Sequence, residues 1–167
     1  MMFHLHSIVI VMTARTALAL KVKKLDERAV LPTVSHAGED LGYDVYALED
    51  VEISPHSVHK IRTGIAASYQ HERSVYDYRI NLFGLLIRDR SSVALGGLFT
   101  VGGVVDAGYT GEIIVLVRNL STAIVDIKAG QKIAQMIPTE VLTENGVEEV
   151  FDLAESDRMS KGFGSSG

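Results

Sequence analysis

The most telling absence from this chain is cysteine, since its 167 residues contain none. Without cysteine there are no disulfide bonds, no thiolate zinc sites and no cysteine nucleophiles, and this composition fits an intracellular protein. Basic residues are also scarce, because 16 lysines and arginines stand against 21 acidic residues and the net charge is -5. We therefore do not expect a protein that coats nucleic acid, although local basic spots could still hold phosphates.

Long hydrophobic runs are absent as well. The apolar N-terminal segment covers residues 1–12 and falls well short of the roughly 18 residues of a membrane-spanning helix. It also lacks the basic region of a secretory signal. We expect no membrane partner and a cytoplasmic location. Met12 is the expected translation start, and residues 1–17 are assigned as an N-terminal extension; the alternative is an N-terminal β-strand.

What the chain does contain is 47% hydrophobic residues, enough for one domain with a sizeable core. Valine and isoleucine dominate short runs that turn signals interrupt about every eight to twelve residues. This pattern is typical of an all-β sandwich or barrel with Greek-key or jelly-roll connections. The predicted strands are 18–24, 43–53, 58–68, 78–88, 98–105, 112–118, 123–128 and 132–140. Residues 90–96 predict a single helical turn opened by a serine cap.

Two polar clusters stand at the ends of predicted strands. Asp44 follows a glycine-aromatic turn and, taken alone, is typical of a carboxylate at a strand edge. Arg90, Ser91 and Ser92 begin the predicted helical turn, where free N–H groups, two hydroxyls and a guanidinium would converge as an anion site. A capped turn with solvated arginines explains this second cluster about equally well.

Two further clusters follow along the chain. Residues 102–112 predict a β-hairpin with Asp106, a turn and then Tyr109, so that a carboxylate and an aromatic ring would face one pocket. An ordinary hairpin has the same pattern. Gln135 lies in an alternating strand after a glycine turn. It would need a hydrogen-bond partner if buried, and otherwise marks a strand edge.

The C-terminal residues 158–167 are rich in glycine and serine and predict neither a helix nor a central strand. They carry what a mobile phosphate-binding lid needs: backbone N–H groups that can approach an anion, serine hydroxyls, the Arg158 guanidinium and the Phe163 ring. Taken alone, such a tail is more typical of a frayed or added terminus. The other clusters of the chain favour the lid.

In this order the clusters resemble the five motifs of the trimeric dUTPase family. The matching stretches are GYDVYA at 42–47, RSSVA at 90–94, GVVDAGYTGEI at 103–113, GQKIAQ at 130–135 and RMSKGFGSSG at 158–167. Thr63-Gly64-Ile65 also matches a segment common between the first two motifs. The resemblance covers nearly the whole chain, with a barrel domain at 18–156 and a lid at 157–167.

The resemblance implies a jelly-roll-like β-barrel that forms a homotrimer, with active sites shared between subunits and closed by the C-terminal arm. It implies hydrolysis of dUTP to dUMP and pyrophosphate, which limits uracil incorporation into DNA and supplies dUMP for thymidylate synthesis. The implied cofactor, Mg²⁺, would be carried by phosphate oxygens and water. We therefore assign it no direct protein ligand, and Asp44 would at most contact its water ligands.

By the same resemblance, Asp106 would orient and polarise the water that attacks the α-phosphorus. Tyr109 would pack beneath the deoxyribose and leave no room for a 2′-hydroxyl. Arg158 would reach the γ-phosphate, and Phe163 would stack over the uracil. The other implied substrate contacts are Gly103, Val104 and Val105 for the uracil edge, Arg90, Ser91, Ser92 and Gln135 for the phosphates, and Gly164 and Ser165 in the lid.

Three departures from the family pattern point to a sister family, the dCTP deaminases. Asp89 and Ser92 stand where proline and glycine are more frequent, and Gly108 replaces an aspartate before the tyrosine. Deaminases need a glutamate as base on the next strand, and Leu116 takes that place here. A deaminase or bifunctional deaminase–dUTPase is thus the second interpretation. The third is a non-catalytic, dUTPase-like nucleotide-binding regulator. Residues 69–78 are its candidate partner-binding insertion, although a solvated hairpin loop explains that segment better.

Overall fold

The computed structural model describes residues 18–71, 83–143 and 146–154, and their buried apolar side chains form one hydrophobic core. The strands are β1 (Leu18–Lys24), β2 (Tyr43–Tyr46), β3 (Val51–Ile53), β4 (Val58–Arg62), β5 (Ile65–His71), β6 (Phe83–Arg88), β7 (Leu98–Thr100), β8 (Val104–Val105), β9 (Ile114–Asn119), β10 (Val125–Ile127) and β11 (Lys132–Glu140). One short helix, α1 (Ser91–Leu95), follows β6. The predicted extension 1–17 and lid 157–167 lie outside the described residues, as does most of the 69–78 segment.

The described strands form three sheets, and each of their pairings is antiparallel. The largest sheet has the order β1-β5-β6-β11-β2, and β8 pairs along β6. The other two sheets are β4-β9-β7 and β10-β3. The prediction of an all-β fold is therefore confirmed.

Alternating burial along the strands builds the core. In β9, Val115 and Val117 are completely buried, while Arg118 is exposed. Ile61 and Ile65 come from β4 and β5 and are also completely buried. Such alternation is what a sheet with one face on the core requires. Burying each aliphatic side chain of this kind stabilises the fold by about 1.5–3 kcal/mol.

The predicted bounds were right for β1 and β11, but three predicted strands are each divided in two. The stretches 43–53, 58–68 and 98–105 become β2 and β3, β4 and β5, and β7 and β8. At each division the chain passes from one sheet to another. Between β4 and β5 the crossing occurs at Gly64, whose φ of +68° is one that side chains rarely adopt. The β-rich composition continues through each crossing, so it does not reveal them.

Among the described residues, no helix is long and apolar enough to cross a bilayer.

Candidate active site

Asp106 and Tyr109 lie in residues 101–113, which we call the connecting segment because it joins β7 to β9. These two strands pair with each other, as a hairpin requires. The middle of the segment, however, leaves them and pairs with β6 through β8. The prediction that residues 102–112 form a β-hairpin was therefore wrong, because β8 pairs with the edge of β6 instead.

A close backbone approach at Gly103 makes this docking possible. The Ile87 amide donates a hydrogen bond to the Gly103 carbonyl oxygen at 2.7 Å. A Cβ atom at position 103 would lie only 2.3 Å from the Ile87 carbonyl oxygen. Glycine is therefore the residue that fits between the two strands here.

The docked segment closes one side of a pocket of about 280 Å³. Asp106 and Tyr109 both line it, together with Val105 and the backbone around Gly102. The Tyr109 amide donates to the Asp106 carbonyl oxygen at 3.0 Å, which forms the turn between them. The structure thus places both residues along the same pocket.

Leu116 and Glu112 also line this pocket. The carboxylate of Glu112 accepts hydrogen bonds from the Gly64 amide at 2.8 Å and from the Arg62 Nε at 3.2 Å. The sequence analysis did not predict this role of Glu112. The only signal was its position directly after a turn, which the two glycines around Tyr109 indicate. The carboxylate of this pocket glutamate is therefore already hydrogen-bonded, both to a backbone amide and to an arginine.

A second group of predicted residues meets at the other end of β6. The strand register places Asp44, Gln135 and Arg88 in one row across β2, β11 and β6. Asp44 is buried, and its carboxylate forms ion pairs with the Arg90 guanidinium and with the Lys132 Nζ, the latter at 2.8 Å. The structure thus brings Asp44, Arg90 and Gln135 together as one cluster. Lys132 was missed, because its alternating position in the strand gave no sign of a partner.

Gln135 and Asp89 hold the corner between β6 and α1. The Gln135 Nε2 donates to the Asp89 carbonyl oxygen at 2.8 Å. The Asp89 carboxylate accepts a hydrogen bond from the Thr100 amide on β7. This hydrogen bond explains the aspartate at position 89, because it joins the corner to the neighbouring strand β7.

The helical turn itself begins differently from the prediction. Arg90, and not a serine, occupies the N-cap position, and no side chain caps α1. The turn is closed by the backbone, with the Ala94 amide donating to the Arg90 carbonyl oxygen at 2.9 Å. Ser91 and Ser92 are exposed in the first turn, and Ser92 and Arg90 line a second pocket of about 380 Å³.

The Arg90 guanidinium is held but not saturated. Its side chain is 27% exposed, with one nitrogen on Asp44. Its Nε is buried and has no hydrogen-bond partner among the described residues. Arg90 and Lys132 share the single carboxylate of Asp44, so these three side chains carry a net positive charge. The positive charge and the unused guanidinium donors suit an anion.

The two clusters are well separated within one chain. Asp106 follows Val105, which pairs with Leu85, so Asp106 lies level with the start of β6. Asp44 and Gln135 lie level with Arg88 at its end. Four residues of strand correspond to about 13 Å.

The described residues contain no group of three or more histidine and acidic side chains that could hold a metal ion. Asp44, the residue expected beside a metal's water ligands, already contacts two cationic side chains. A divalent cation here would fit as part of a phosphate ligand rather than in a protein cage.

The dUTPase family sequence model matches residues 27–167 of this chain. The chain belongs to the dUTPase family. The deoxyuridine 5'-triphosphate nucleotidohydrolase of Picosynechococcus sp. is 36% identical over 151 residues, which are 89% of this chain and 98% of that protein. The Gloeothece citriformis protein of the same name is 39% identical over 89% of this chain and 96% of its own. The Staphylococcus bacteriophage 80alpha dUTPase with dUPNHPP matches with a TM-score of 0.71 and 26% identity, over 89% and 98% of the two chains.

These comparisons confirm the predicted dUTPase resemblance and fold class. The dUTPase match extends through the glycine-rich C-terminus. The predicted lid residues Arg158, Phe163, Gly164 and Ser165 lie outside the described residues, so their contacts remain predictions. Among the other predicted site residues, the structure gives two clusters: Asp106 with Tyr109, and Arg90 with its partners.

Proposed function

We propose that this chain hydrolyses dUTP to dUMP and pyrophosphate, and so limits uracil incorporation into DNA while supplying dUMP for thymidylate synthesis. The observation that carries the proposal is the pocket in which Asp106 and Tyr109 meet, within a chain of the dUTPase family. Both relatives named above carry the name of that activity.

Asp106 is the proposed catalytic residue. Its side chain lines the pocket and has no ion pair or side-chain hydrogen bond among the described residues, so its oxygens are available to a water molecule. A carboxylate that orients and polarises a water for attack on the α-phosphorus needs such an available oxygen. The incoming water forms the new P–O bond, and pyrophosphate leaves with the electrons of the bond that breaks.

Tyr109 and the β8 backbone are proposed to select the nucleoside. The Tyr109 ring would pack beneath the deoxyribose, where a 2′-hydroxyl would clash. The backbone of Gly103, Val104 and Val105 would pair with the uracil edge. If the polar groups of the pocket match uracil, a different base leaves them without hydrogen-bond partners, and this raises the free energy of binding.

The second cluster is proposed to hold the phosphates. Arg90, Ser91 and Ser92 would contact phosphate oxygens, and Gln135 would fix the corner that carries them. Asp44 would keep the Arg90 guanidinium in place through their ion pair. Magnesium bound to the triphosphate would neutralise phosphate charge, and it would enter with the substrate.

A homotrimer with shared sites is part of the proposal. The catalytic carboxylate and the phosphate-binding cation must both contact one triphosphate, yet along β6 the backbone at Asp106 and the row of Asp44 and Gln135 are about 13 Å apart in one chain. A neighbouring copy that brings its Arg90 cluster to this Asp106 would complete the site. Large apolar side chains near the C-terminus also favour packing between copies, since Val147, Phe151 and Leu153 are 101%, 103% and 84% exposed.

The remaining parts of the proposal concern the chain ends. Residues 157–167 would close over the site, with Arg158 on the γ-phosphate, Phe163 on the uracil, and Gly164 and Ser165 contributing donors. Residues 18–156 would form the barrel domain, preceded by the extension 1–17. The enzyme would act in the cytoplasm on free nucleotide, without nucleic acid or membrane partners.

The test is pyrophosphate release by the purified protein with magnesium, with dUTP, dCTP, dTTP and UTP offered separately and the nucleoside products identified. Release from dUTP alone, giving dUMP, is the expected result. Deamination of dCTP would instead support the deaminase interpretation despite Leu116. No turnover of any of the four would refute the enzyme and favour a nucleotide-binding regulator.

A further inference from the structure

We propose that Thr63 and Glu112 are positioning residues that fix the orientation of Tyr109 and thereby set the preference for deoxyribose over ribose. This inference rests on the proposed function, in which the Tyr109 ring packs beneath the sugar. It gives a role to the Thr63-Gly64 stretch, whose position in the sequence is distant from every group that would contact the nucleotide.

Four hydrogen bonds join the crossing between β4 and β5 to the end of the connecting segment. The buried Thr63 hydroxyl donates to the Ile113 carbonyl oxygen at 2.6 Å, and the Ile113 amide donates to the Ile65 carbonyl oxygen at 2.8 Å. The Gly64 amide and the Arg62 Nε donate to the two carboxylate oxygens of Glu112. We call these contacts the clamp.

The clamp can hold the Glu112 carboxylate because the crossing is unusually tight. The left-handed conformation of Gly64 places its amide toward the connecting segment, and its carbonyl oxygen accepts from the Leu25 amide at 2.7 Å. A Cβ at position 64 would lie 2.9 Å from both Ala29 and Leu48. The crossing is thus fixed on its other side by the core and presents a rigid donor to Glu112.

The clamp also fixes the position of Tyr109, because the tyrosine side chain contacts the backbone that the clamp holds. The Tyr109 hydroxyl donates to the Glu112 carbonyl oxygen at 3.0 Å. The ring also lies against Gly111, where a Cβ would be 2.5 Å from the phenolic oxygen. The position of the ring therefore follows the backbone at 111–112, and that backbone follows the Glu112 and Thr63 contacts.

The clamp is separate from the contacts that hold the proposed base-binding backbone. Gly103, Val104 and Val105 are held by pairing with β6, at the opposite end of the connecting segment. Because the clamp and the β6 pairing hold different ends of the connecting segment, we expect the selection of the sugar and the selection of the base to be independent. Loosening the clamp is expected to relax the selection of the sugar and leave the selection of the base unchanged.

The experiment compares the wild-type protein with Glu112→Gln and Thr63→Val. The first substitution keeps the shape of the side chain but removes one acceptor and the charge, and the second replaces the hydroxyl with a methyl group of similar size. For each variant, kcat/KM is measured for dUTP, UTP and dCTP. We expect the preference for dUTP over UTP to fall by about tenfold while the preference over dCTP stays within about twofold.

Three controls make the result decisive. Thr63→Ser keeps the hydroxyl and should restore the wild-type preference, and Glu52→Gln changes an exposed glutamate of β3 with no expected effect. Thermal unfolding checks that each variant is folded, and Glu112→Gln decides alone if Thr63→Val does not fold. An equal loss of sugar and base preference, or an unchanged dUTP/UTP ratio, would overturn the inference. Failure of the wild-type protein to hydrolyse dUTP would instead refute the proposed function.

Discussion

At the scale of single residues, the charged side chains near the two pockets differ in how fully they are engaged. Asp44 and Glu112 each contact two donors or cations. Asp106 has no such contact among the described residues and is exposed in its pocket. The engaged carboxylates can position other groups, whereas both oxygens of Asp106 are without a partner among the described residues and are available to a water molecule.

This difference predicts the behaviour of an Asp106→Asn variant. The amide keeps the size of the side chain but cannot accept a proton, so turnover of dUTP should fall by roughly 10²–10⁴-fold. Binding should be retained, because the proposed base and phosphate contacts come from other residues. Steady-state kinetics give the rate, and calorimetry with a non-hydrolysable imido analogue gives the affinity.

The matched control is Asp126→Asn, since Asp126 is an exposed aspartate on β10. It should leave both the rate and the affinity unchanged. Wild-type turnover in Asp106→Asn would remove this residue from the catalytic role.

At the scale of elements, the sequence predicts strand composition well and sheet membership poorly. The bounds of β11 were predicted because one turn precedes nine residues that remain in one sheet. The crossing at Gly64 was not predicted, because the apolar residues Ile61 and Ile65 continue through it and both face the same core. Which sheet a strand joins depends on partners distant in sequence, and local pattern carries little of that information.

The same distinction holds for the candidate site. The Asp44, Arg90, Asp106 and Tyr109 side chains could be selected from their motifs, and the structure groups them in two clusters. The contacts of Lys132 and Glu112 could not, because each needs a partner from another element. Motifs identify groups that carry chemistry, and the packing of elements determines what holds them.

A pair of glycine variants tests whether docking of the connecting segment on β6 matters. In Gly103→Ala the new methyl would meet the Ile87 carbonyl oxygen at 2.3 Å, so we expect a loss of stability of about 1–3 kcal/mol from overpacking. The β8 pairing, and with it kcat/KM for dUTP, should be impaired. Thermal unfolding and steady-state kinetics measure the two effects.

Gly108→Ala is the control from the same segment. A Cβ at position 108 would meet nothing within 4 Å, and the residue is not in the left-handed region. Stability and activity should both remain near wild type. Equal effects of the two substitutions would argue against the close approach of Gly103 as the cause.

At the scale of the whole molecule, the proposed active site would need groups that a single chain does not bring together. The Asp106 pocket, the Arg90 cluster and the lid would converge only in an assembly. This arrangement would separate stability from activity, because the core is built from the described residues, whereas closure of the site is proposed to depend on residues 157–167.

Truncation after Ser160 tests this separation. The shortened protein should keep its thermal stability and its oligomeric state, since the hydrophobic core is already complete within residues 29–136. Turnover of dUTP should collapse by at least about 10²-fold, because the site would no longer close over the triphosphate. Kinetics, calorimetric melting and light scattering measure the three properties; full activity in the truncated protein would rule out the lid.

The distance along β6 between Asp106 and the Arg90 cluster also has a genetic consequence. If the site joins Asp106 of one copy to Arg90 of another, two inactive chains can rescue each other when they assemble together. In a random equal mixture of Asp106→Asn and Arg90→Ala chains, about a quarter of the sites would combine both intact residues. Two inactive alleles of this gene would then complement one another, whereas a mixture of either mutant with the wild type would keep active sites in proportion to its wild-type chains.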